Sequence, residues 1–373
     1  MEFSLSPEVC DLRDRIAKFV REEIVPHETD PRCREKMLPD SLRLELVEKT
    51  KNAGLISPHA PKEFGGLGLN HRDLAVIFET ICWSTLGAVA FNINAPDEGN
   101  VNLINKVGTP EQKERWLPGI VSGADRSVFS MTETSTDGAG SDPLLLQTRA
   151  DEVDDGYVIS GQKYMISGAV GANINIIMAR TFDKKGTDLG ATMFVADIDA
   201  PGFKIDRMLH TIDRNQPGGH AEVTFDNVFA STDDILGEVG EGFKYAQVRL
   251  APARLTHCMR WLGLACRAHA IAVEHANRRH SFGKLLGDHQ GVSFMLADNE
   301  IDLYHARQAI WHAAWRLDEH DLAKNETSIC KVFCSEAFGR VVDRAMQILG
   351  SIGITDDTVI ESIYRDIRPF RMH

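Results

Sequence analysis

The hydrophobic period of the chain changes twice along its length, which limits the folds open to it more than any single motif does. Up to about residue 126, apolar residues recur every three or four positions, as in Leu42, Leu46 and Ala53. The segments 8–25, 41–53, 72–90 and 110–121 therefore read as amphipathic helices. From 127 to 236 the period falls to two: Ala221, Val223 and Phe225 alternate with Glu222, Thr224 and Asp226. Similar β-rich runs lie at Tyr157–Ile159, Ile174–Met178 and Thr192–Val195, punctuated by Asp155-Gly156, Ser160-Gly161, Pro201-Gly202 and Pro217-Gly218-Gly219. After Gly237 the helical period returns and lengthens. Leu296, Leu303, Ile310 and Leu317 repeat every seven residues, with Val292, Ala306 and Ala313 beside them. Ile329, Val332, Phe333, Ala337, Val341, Ala345 and Ile348 form a second seam. The pattern predicts a mainly α protein with a β middle domain. Its parts are an N-terminal helical domain over 1–126, a central antiparallel β-domain over 127–236 and a C-terminal four-helix bundle over 237–373.

Local signals agree. Thr109-Pro110-Glu111-Gln112 is a helix start, with a Thr N-cap, Pro at the first helical position and Glu and Gln at the positive end of the dipole. Ala60–Leu69 carries three glycines and reads as a loop. Pro252 should kink the first bundle helix or mark its effective start.

With 54 acidic against 41 basic residues, the chain has a formal charge of -13. That excludes a protein held by nucleic-acid phosphates or anionic lipid, which demand a Lys/Arg surplus. Mean hydropathy is -0.21 and no apolar run approaches a membrane span, so no bilayer-embedded part is expected. Met1–Pro7 lacks the basic flank and apolar core of a secretory signal, and a cytoplasmic setting is expected. Seven cysteines, an odd number with no C-x-x-C pair, fit a reducing compartment. Cys330 and Cys334 share a helix face and read as core residues. The histidines form no H-x-x-x-H pair, so no metal site is predicted.

Four stretches carry groups capable of chemistry. Phe129–Glu133 leads into a turn, Gly138-Ala139-Gly140-Ser141-Asp142, whose N–H groups and hydroxyl suit a phosphate or carbonyl oxygen, or simply a solvated hairpin. Gly161–Gly168 offers the Ser167 hydroxyl at a strand end. Arg278-Arg279-His280-Ser281-Phe282-Gly283-Lys284, with His289-Gln290 beyond, suits a pyrophosphate or is a loop between helices. Gln347-Ile348-Leu349-Gly350-Ser351 ends a helix in small residues, open to a ligand or an ordinary glycine cap. No Rossmann fingerprint, Walker P-loop or nucleophile elbow is present.

Together, in this order, these stretches resemble the acyl-CoA dehydrogenase flavoprotein family over essentially the whole chain. Pro61–Gly68, Val107–Lys113 with Trp116-Leu117-Pro118, Thr132-Glu133 with Gly140-Ser141-Asp142, the Arg279–Phe282–Gly283–Gln290 cluster and the Gln347–Gly350 element carry the likeness. Leu250–Arg260 and Gly219–Val223 are most similar to the branch of mammalian family members ten and eleven.

The resemblance implies FAD held between the β-domain and the C-terminal bundle, in a homodimer or homotetramer. Met131 and Thr132 fall where backbone and hydroxyl meet the flavin edge. Ser141 falls at the diphosphate and near the acyl thioester, and Ser167 where a hydroxyl reaches flavin N5. Arg279, Phe282 and Gln290 match contacts made across a dimer interface, and Gln347 and Gly350 match adenosine-side contacts. Leu250 and Arg254 belong with Ser141 to the substrate side. Two departures stand out. Met165 replaces a frequent Trp against the flavin, and the Glu133–Gly140 loop is longer than the common form.

The implied reaction is α,β-dehydrogenation of an acyl-CoA in fatty-acid β-oxidation. A carboxylate takes the Cα proton, hydride goes from Cβ to flavin N5, and electrons pass to an electron-transferring flavoprotein. The resemblance places the base immediately after His373, and Ala253 occupies the alternative position on the first bundle helix. Either a C-terminal segment carrying the base lies beyond the sequence, which the intact Ile363–Met372 pattern favours, or the protein is a base-less homologue. His220 and His257 are the substitutes within it. A flavin oxidase or monooxygenase, marked by H2O2 production or oxygen use, and a partner subunit that completes another chain's FAD site are the competing expectations.

Overall fold

The computed structural model of the chain describes residues 4–134, 140–320 and 323–372. Among these residues six α-helices come first: α1 (Pro7–Phe19), α2 (Asp40–Asn52), α3 (His71–Ile81), α4 (Gly87–Ala90), α5 (Asp97–Val107) and α6 (Pro110–Val121). Strands β1 (Ser127–Ser130), β2 (Arg149–Val153), β3 (Gly156–Ser167), β4 (Ile174–Phe182), β5 (Asp188–Asp197), β6 (Phe203–Leu209) and β7 (His220–Ser231) follow. The C-terminal part has α7 (Gly242–Arg278), a ribbon of β8 (His280–Ser281) and β9 (Lys284–Leu285), then α8 (Gln290–Glu319), α9 (Lys324–Leu349) and α10 (Ile360–Ile367).

The α6 start forms a full capping box: Gln112 N–H donates to Thr109 Oγ1 at 3.2 Å, and Thr109 N–H to Gln112 Oε1 at 3.1 Å. The single helix expected over 72–90 is instead two. Between α3 and α4 the chain reverses so tightly that a Cβ on Gly87 would lie 2.1 Å from the Ile81 carbonyl. Glu28 holds that turn by accepting from Ser84 Oγ (2.6 Å) and the Thr85 N–H (2.9 Å). Helix α5 has no counterpart among the expected segments. Its Gly99, Asn100, Asn102 and Asn105 are poor helix formers, and it is held by burial from Asp97 to Val101 and at Leu103 and Ile104.

The sheet runs β1-β4-β2-β3-β7-β6, with β5 on β4. Four of its pairings are antiparallel, but β1 and β2 both run parallel to β4. Ser160-Gly161 is not a turn. It is a bulge inside β3, where Gly161 (φ 150°) has a Thr148 backbone atom 2.7 Å from where a Cβ would stand.

Helix α7 begins at Gly242 and continues through Pro252, so that proline does not mark its start. Helices α7 to α10 form the bundle, and its core is shared with α1, α3 and α4. Ile16, Phe78 and Leu86 pack in one cluster with Leu262, Ile310, Phe338 and Phe370. A Cβ on Gly263 would lie 2.3 Å from the Glu79 carbonyl, so α7 crosses α3 at closest approach there. In α9 the inward row is Thr327, Cys330, Cys334, Ala337 and Val341. Ile329 and Val332, expected in the seam, are exposed. No helix among the described residues is long and apolar enough to cross a membrane.

Candidate functional site

One wall of the site is the junction of β1's end with the C-terminal half of β3. Tyr164 N–H donates to the Thr132 carbonyl at 2.9 Å, and Thr132 Oγ1 donates to the Tyr164 carbonyl at 2.6 Å. The Thr132 hydroxyl proton is thus committed to the backbone, leaving its oxygen able only to accept. Beneath, fully buried Lys163 donates to the Met131 carbonyl (3.1 Å) and to Glu133 Oε1 (3.0 Å). Glu133 also accepts from the Gln147 and Thr148 N–H groups at 2.9 and 2.8 Å. Burial pushes the Glu133 carboxyl up, but the Lys163 ammonium and those amides outweigh it and hold the group at about 2. The next residue along, Met165, has φ +59° and stands half-exposed on the surface of the wall. A non-glycine side chain held at positive φ signals local constraint.

At the end of β3, Ser167 faces His220 at the head of β7, paired in register. Ser167 Oγ lies 2.9 Å from His220 Nδ1, and His220 Nε2 lies 2.8 Å from Asp213 Oδ2. Arg126 fixes the loops on either side, donating to the carbonyls of Gly168 (2.9 Å), Pro217 (3.3 Å) and Val170. Burial pushes Asp213 up, yet hydrogen bonds from His220 and Thr211 more than compensate and hold it below the usual carboxylate range.

Met131 packs in one apolar cluster with Leu250 of α7, Val101 of α5, and Trp116 and Ile120 of α6. Arg249, beside Leu250, lies over the Phe129 ring at 4.2 Å and donates to Asn100 Oδ1 at 2.8 Å. Arg254 follows Leu250 one turn on, half-buried. Ser141 is exposed just past Gly140 (φ +56°), whose carbonyl accepts from the Glu133 N–H at 3.0 Å. The turn residues Ser135, Thr136, Asp137, Gly138 and Ala139 lie outside the described residues. Met131 and Leu250 thus share one apolar cluster, Thr132 is bonded to β3 beside Met165, Ser167 ends that strand, and Ser141 follows the Gly140 carbonyl bonded to Glu133.

Arg279, Phe282, Gln290, Gln347 and Gly350 do not join them. Arg279 sits at the far end of α7, about 44 Å along that helix from Leu250 at 1.5 Å per residue. Phe282, in the turn between β8 and β9, is 96% exposed. Because α8 and α9 run back and forth, the starts of α8 and ends of α7 and α9 share one end of the bundle. That end carries Arg279, Gln290, Gln347 and Gly350, all exposed. Nothing lies within 4 Å of where a Gly350 Cβ would stand, so its backbone is open. The chain therefore keeps these residues apart from the group around Met131 and Leu250.

Of the substitute bases, His257 Nδ1 lies 2.6 Å from the Ala253 carbonyl and its ring stacks on Phe370, while Ala253 is buried. His220 is held between Ser167 and Asp213. Sequence reasoning missed Lys163, Arg126 and Asp213. Asp213 sits in an irregular loop with no periodicity to mark it, but a lysine on the buried face of an alternating strand was a visible signal at Lys163. The fold also brings Cys258 of α7 to Cys330 and Cys334, their sulfurs within 4.8 Å of one another. Burial holds the Cys258 and Cys334 thiols well above their ordinary value, as befits protonated core residues.

The sequence matches the acyl-CoA dehydrogenase N-terminal domain over residues 6–124, the middle domain over 128–228 and the C-terminal domain over 240–373. It is 33% identical to the probable acyl-CoA dehydrogenase FadE2 of Mycobacterium tuberculosis, covering 100% of this chain and 93% of that protein. With human acyl-CoA dehydrogenase family member 11 it shares 35% identity over 88% of this chain, spanning 42% of the longer human protein. Its fold superposes on butyryl-CoA dehydrogenase from Megasphaera elsdenii with a TM-score of 0.87, at 28% identity and covering 100% and 96% of the two chains.

Proposed function

The chain belongs to the acyl-CoA dehydrogenase family of flavin-dependent oxidoreductases, and from that premise we propose that it dehydrogenates an acyl-CoA thioester across Cα–Cβ. FAD is the cofactor of the family, and the donor set of this chain fits it. An exposed apolar side chain, Met165, is flanked by the hydroxyls of Thr132 and Ser167, with Ser141 and the Gly140 turn beside them. In this reading Met131, Thr132, Met165 and Ser167 hold the ring system and Ser141 the diphosphate. Arg279, Phe282, Gln290, Gln347 and Gly350 of a second copy close over the rest, because they lie too far along α7 to serve the same site. When bound, FAD supplies the acceptor for the hydride that leaves Cβ.

The remaining steps fall to the protein. Leu250 and Arg254 on one face of α7 line the substrate side with Ser141, and the apolar cluster of Met131, Trp116 and Ile120 excludes water behind it. The Cα proton passes to a carboxylate base, and the thioester carbonyl is polarised to stabilise the developing enolate. Electrons leave for an electron-transferring flavoprotein, the assembly being a homodimer or homotetramer that works in fatty-acid β-oxidation in the cytoplasm.

The observation that carries this reading is that Thr132, bonded to Tyr164, stands beside Met165 and Ser167 of β3, while Met131 next to it packs in the same cluster as Leu250 of α7. The test is anaerobic titration of the yellow holoprotein with acyl-CoAs of differing length and branching. Bleaching of the flavin by one class, with recovery on adding electron-transferring flavoprotein, is the expected result. Unbleached flavin with every acyl-CoA, or H2O2 formed in step with substrate loss, overturns it.

A further inference from the structure

The chain of contacts Ser167–His220–Asp213 has a consequence beyond holding a loop. Ser167 Oγ has one proton to give. If the imidazole is neutral, with its proton on Nε2 toward Asp213, then Nδ1 is an acceptor and the Ser167 hydroxyl must donate to it. Its outward side then offers only lone pairs. If the imidazole carries a second proton on Nδ1, that N–H donates to Ser167 Oγ and the hydroxyl proton is free to point outward. The charge on His220 therefore sets whether Ser167 is a donor or an acceptor toward whatever stands in front of it.

We propose that the His220–Asp213 pair sets the direction of the Ser167 hydrogen bond and so links one proton on His220 to the oxidation state of the flavin. This rests on the reading above, in which Ser167 faces flavin N5. An oxidised N5 has a lone pair and asks Ser167 to donate, which requires protonated His220. Once N5 carried the hydride from Cβ, Ser167 would have to accept, and its own proton would turn toward His220 Nδ1. The Nδ1 proton then leaves to solvent, which the imidazole reaches through its 13% exposed side chain. The electron pair and one hydrogen come from the substrate, and His220 releases one proton.

The ring stands against a carboxylate that a second one adjoins. Asp213 is held ionised. Its neighbour Asp366 of α10 is pushed up to about 7, first by burial and then by the Asp213 charge, so one carboxylate of the two stays negative against the ring. The other ionisable groups about the pair are Arg126, fixed to the Gly168 and Pro217 carbonyls and paired with Asp40 at 3.1 Å, and Arg214 beside Asp213. Glu222, two residues along β7, is paired with Arg207 of β6 at 2.7 Å, and exposed His210 follows Leu209, which stands opposite His220. His220 and Asp213 are positioning residues, since they act through Ser167.

The test is the flavin reduction potential of the holoenzyme, without substrate, between about pH 5.5 and 8.5. His220→Leu and His220→Gln remove the titrating ring, the second keeping a group able to bond in both directions in case the first misfolds. Where wild-type His220 changes charge, its potential should depend on pH less steeply than either variant, by about 30 mV per pH unit for one proton in a two-electron step. Asp213→Asn should move that region to lower pH. Parallel lines for wild type and both variants overturn the proposal. Ser167→Ala separates the two layers of the argument. If it changes the potential while the His220 variants do not, the relay is wrong. If it too leaves the potential and the flavin spectrum untouched, the placement of Ser167 at the flavin has failed and takes the relay with it.

Discussion

Asp366 of α10 accepts a hydrogen bond from the Asn215 side chain, across 151 residues of sequence. It also accepts from the Arg214 N–H at 3.1 Å. The last helix of the bundle is thereby tied to the loop that carries Asp213, so the geometry behind Ser167 depends on both ends of the fold.

That tie should be legible in the pH dependence of stability. Burial pushes Asp366 up to about 7 from an ordinary 3.8. Below about pH 4 the group is protonated folded or unfolded and contributes no pH dependence. Between about 4 and 7 only the unfolded chain ionises, so stability falls as pH rises, by at most about 4 kcal/mol, and flattens above 7. Urea unfolding at pH 5 and pH 8 should show about 2–3 kcal/mol of this loss in wild type and much less of it in Asp366→Asn. An equal pH response in both proteins counts against the assignment.

The buried Glu133–Lys163 pair beneath Met131 behaves oppositely. Held at about 2 against an ordinary 4.5, Glu133 contributes stability above about pH 4.5 that is lost as the pH falls toward 2. Lys163→Met strands a buried carboxylate and should cost about 3–5 kcal/mol. Combined with Glu133→Gln, whose side-chain oxygen can still accept from the Thr148 amide, the loss should be markedly smaller. Denaturant midpoints for the two single variants and the double variant decide it, and an additive result would show that the pair is not coupled.

The order of helices, strands and bundle was legible because hydrophobic period is a property of consecutive residues, as Ala221, Val223 and Phe225 show in β7. What escaped is what lies between segments. The break at Cys82–Leu86 depends on Glu28, more than fifty residues away, and α5 is held by burial against its own weak propensity. In α9 the repeating pattern offered Ile329 and Val332 as seam residues, yet the same repeat also runs through Cys330 and Cys334, and only packing against α7 selects that row. In the site, Ser167 could be singled out from its place at a strand end, while its partners could not. No spacing links Asp213 to His220, because a loop rather than a periodic element brings them together.

The displaced seam leaves an apolar surface. Phe294, Ile301 and Tyr304 on α8 and Ile329 and Val332 on α9 are exposed on the packed helix pair. In the proposed oligomer this surface is covered by another copy. Ile329→Asp with Val332→Asp should weaken self-association at least tenfold while leaving the far-ultraviolet circular dichroism of the chain unchanged, since truncating a buried interface residue costs about 1 kcal/mol or more. Sedimentation velocity over a dilution series is the measurement. An unchanged dissociation curve would place the interface elsewhere.

The separation of Met165 from Arg279 gives the most direct consequence of all. Met165 on β3 and Arg279 at the far end of α7 are widely separated in one chain, so in the proposed function a complete FAD site takes Met165 from one copy and Arg279 with Phe282 from another. Met165→Asp puts a charge on the apolar wall, and Arg279→Ala with Phe282→Ala removes the second half. Each variant alone should purify colourless or lose FAD on dialysis. Unfolded together in equal amounts and refolded with FAD, half the dimers pair unlike chains. Each such dimer holds one intact site of two, so about a quarter of all sites should retain flavin in a two-fold assembly. Flavin absorbance after gel filtration measures this directly. Full flavin in either variant alone, or none in the mixture, would mean that the two groups do not serve one cofactor.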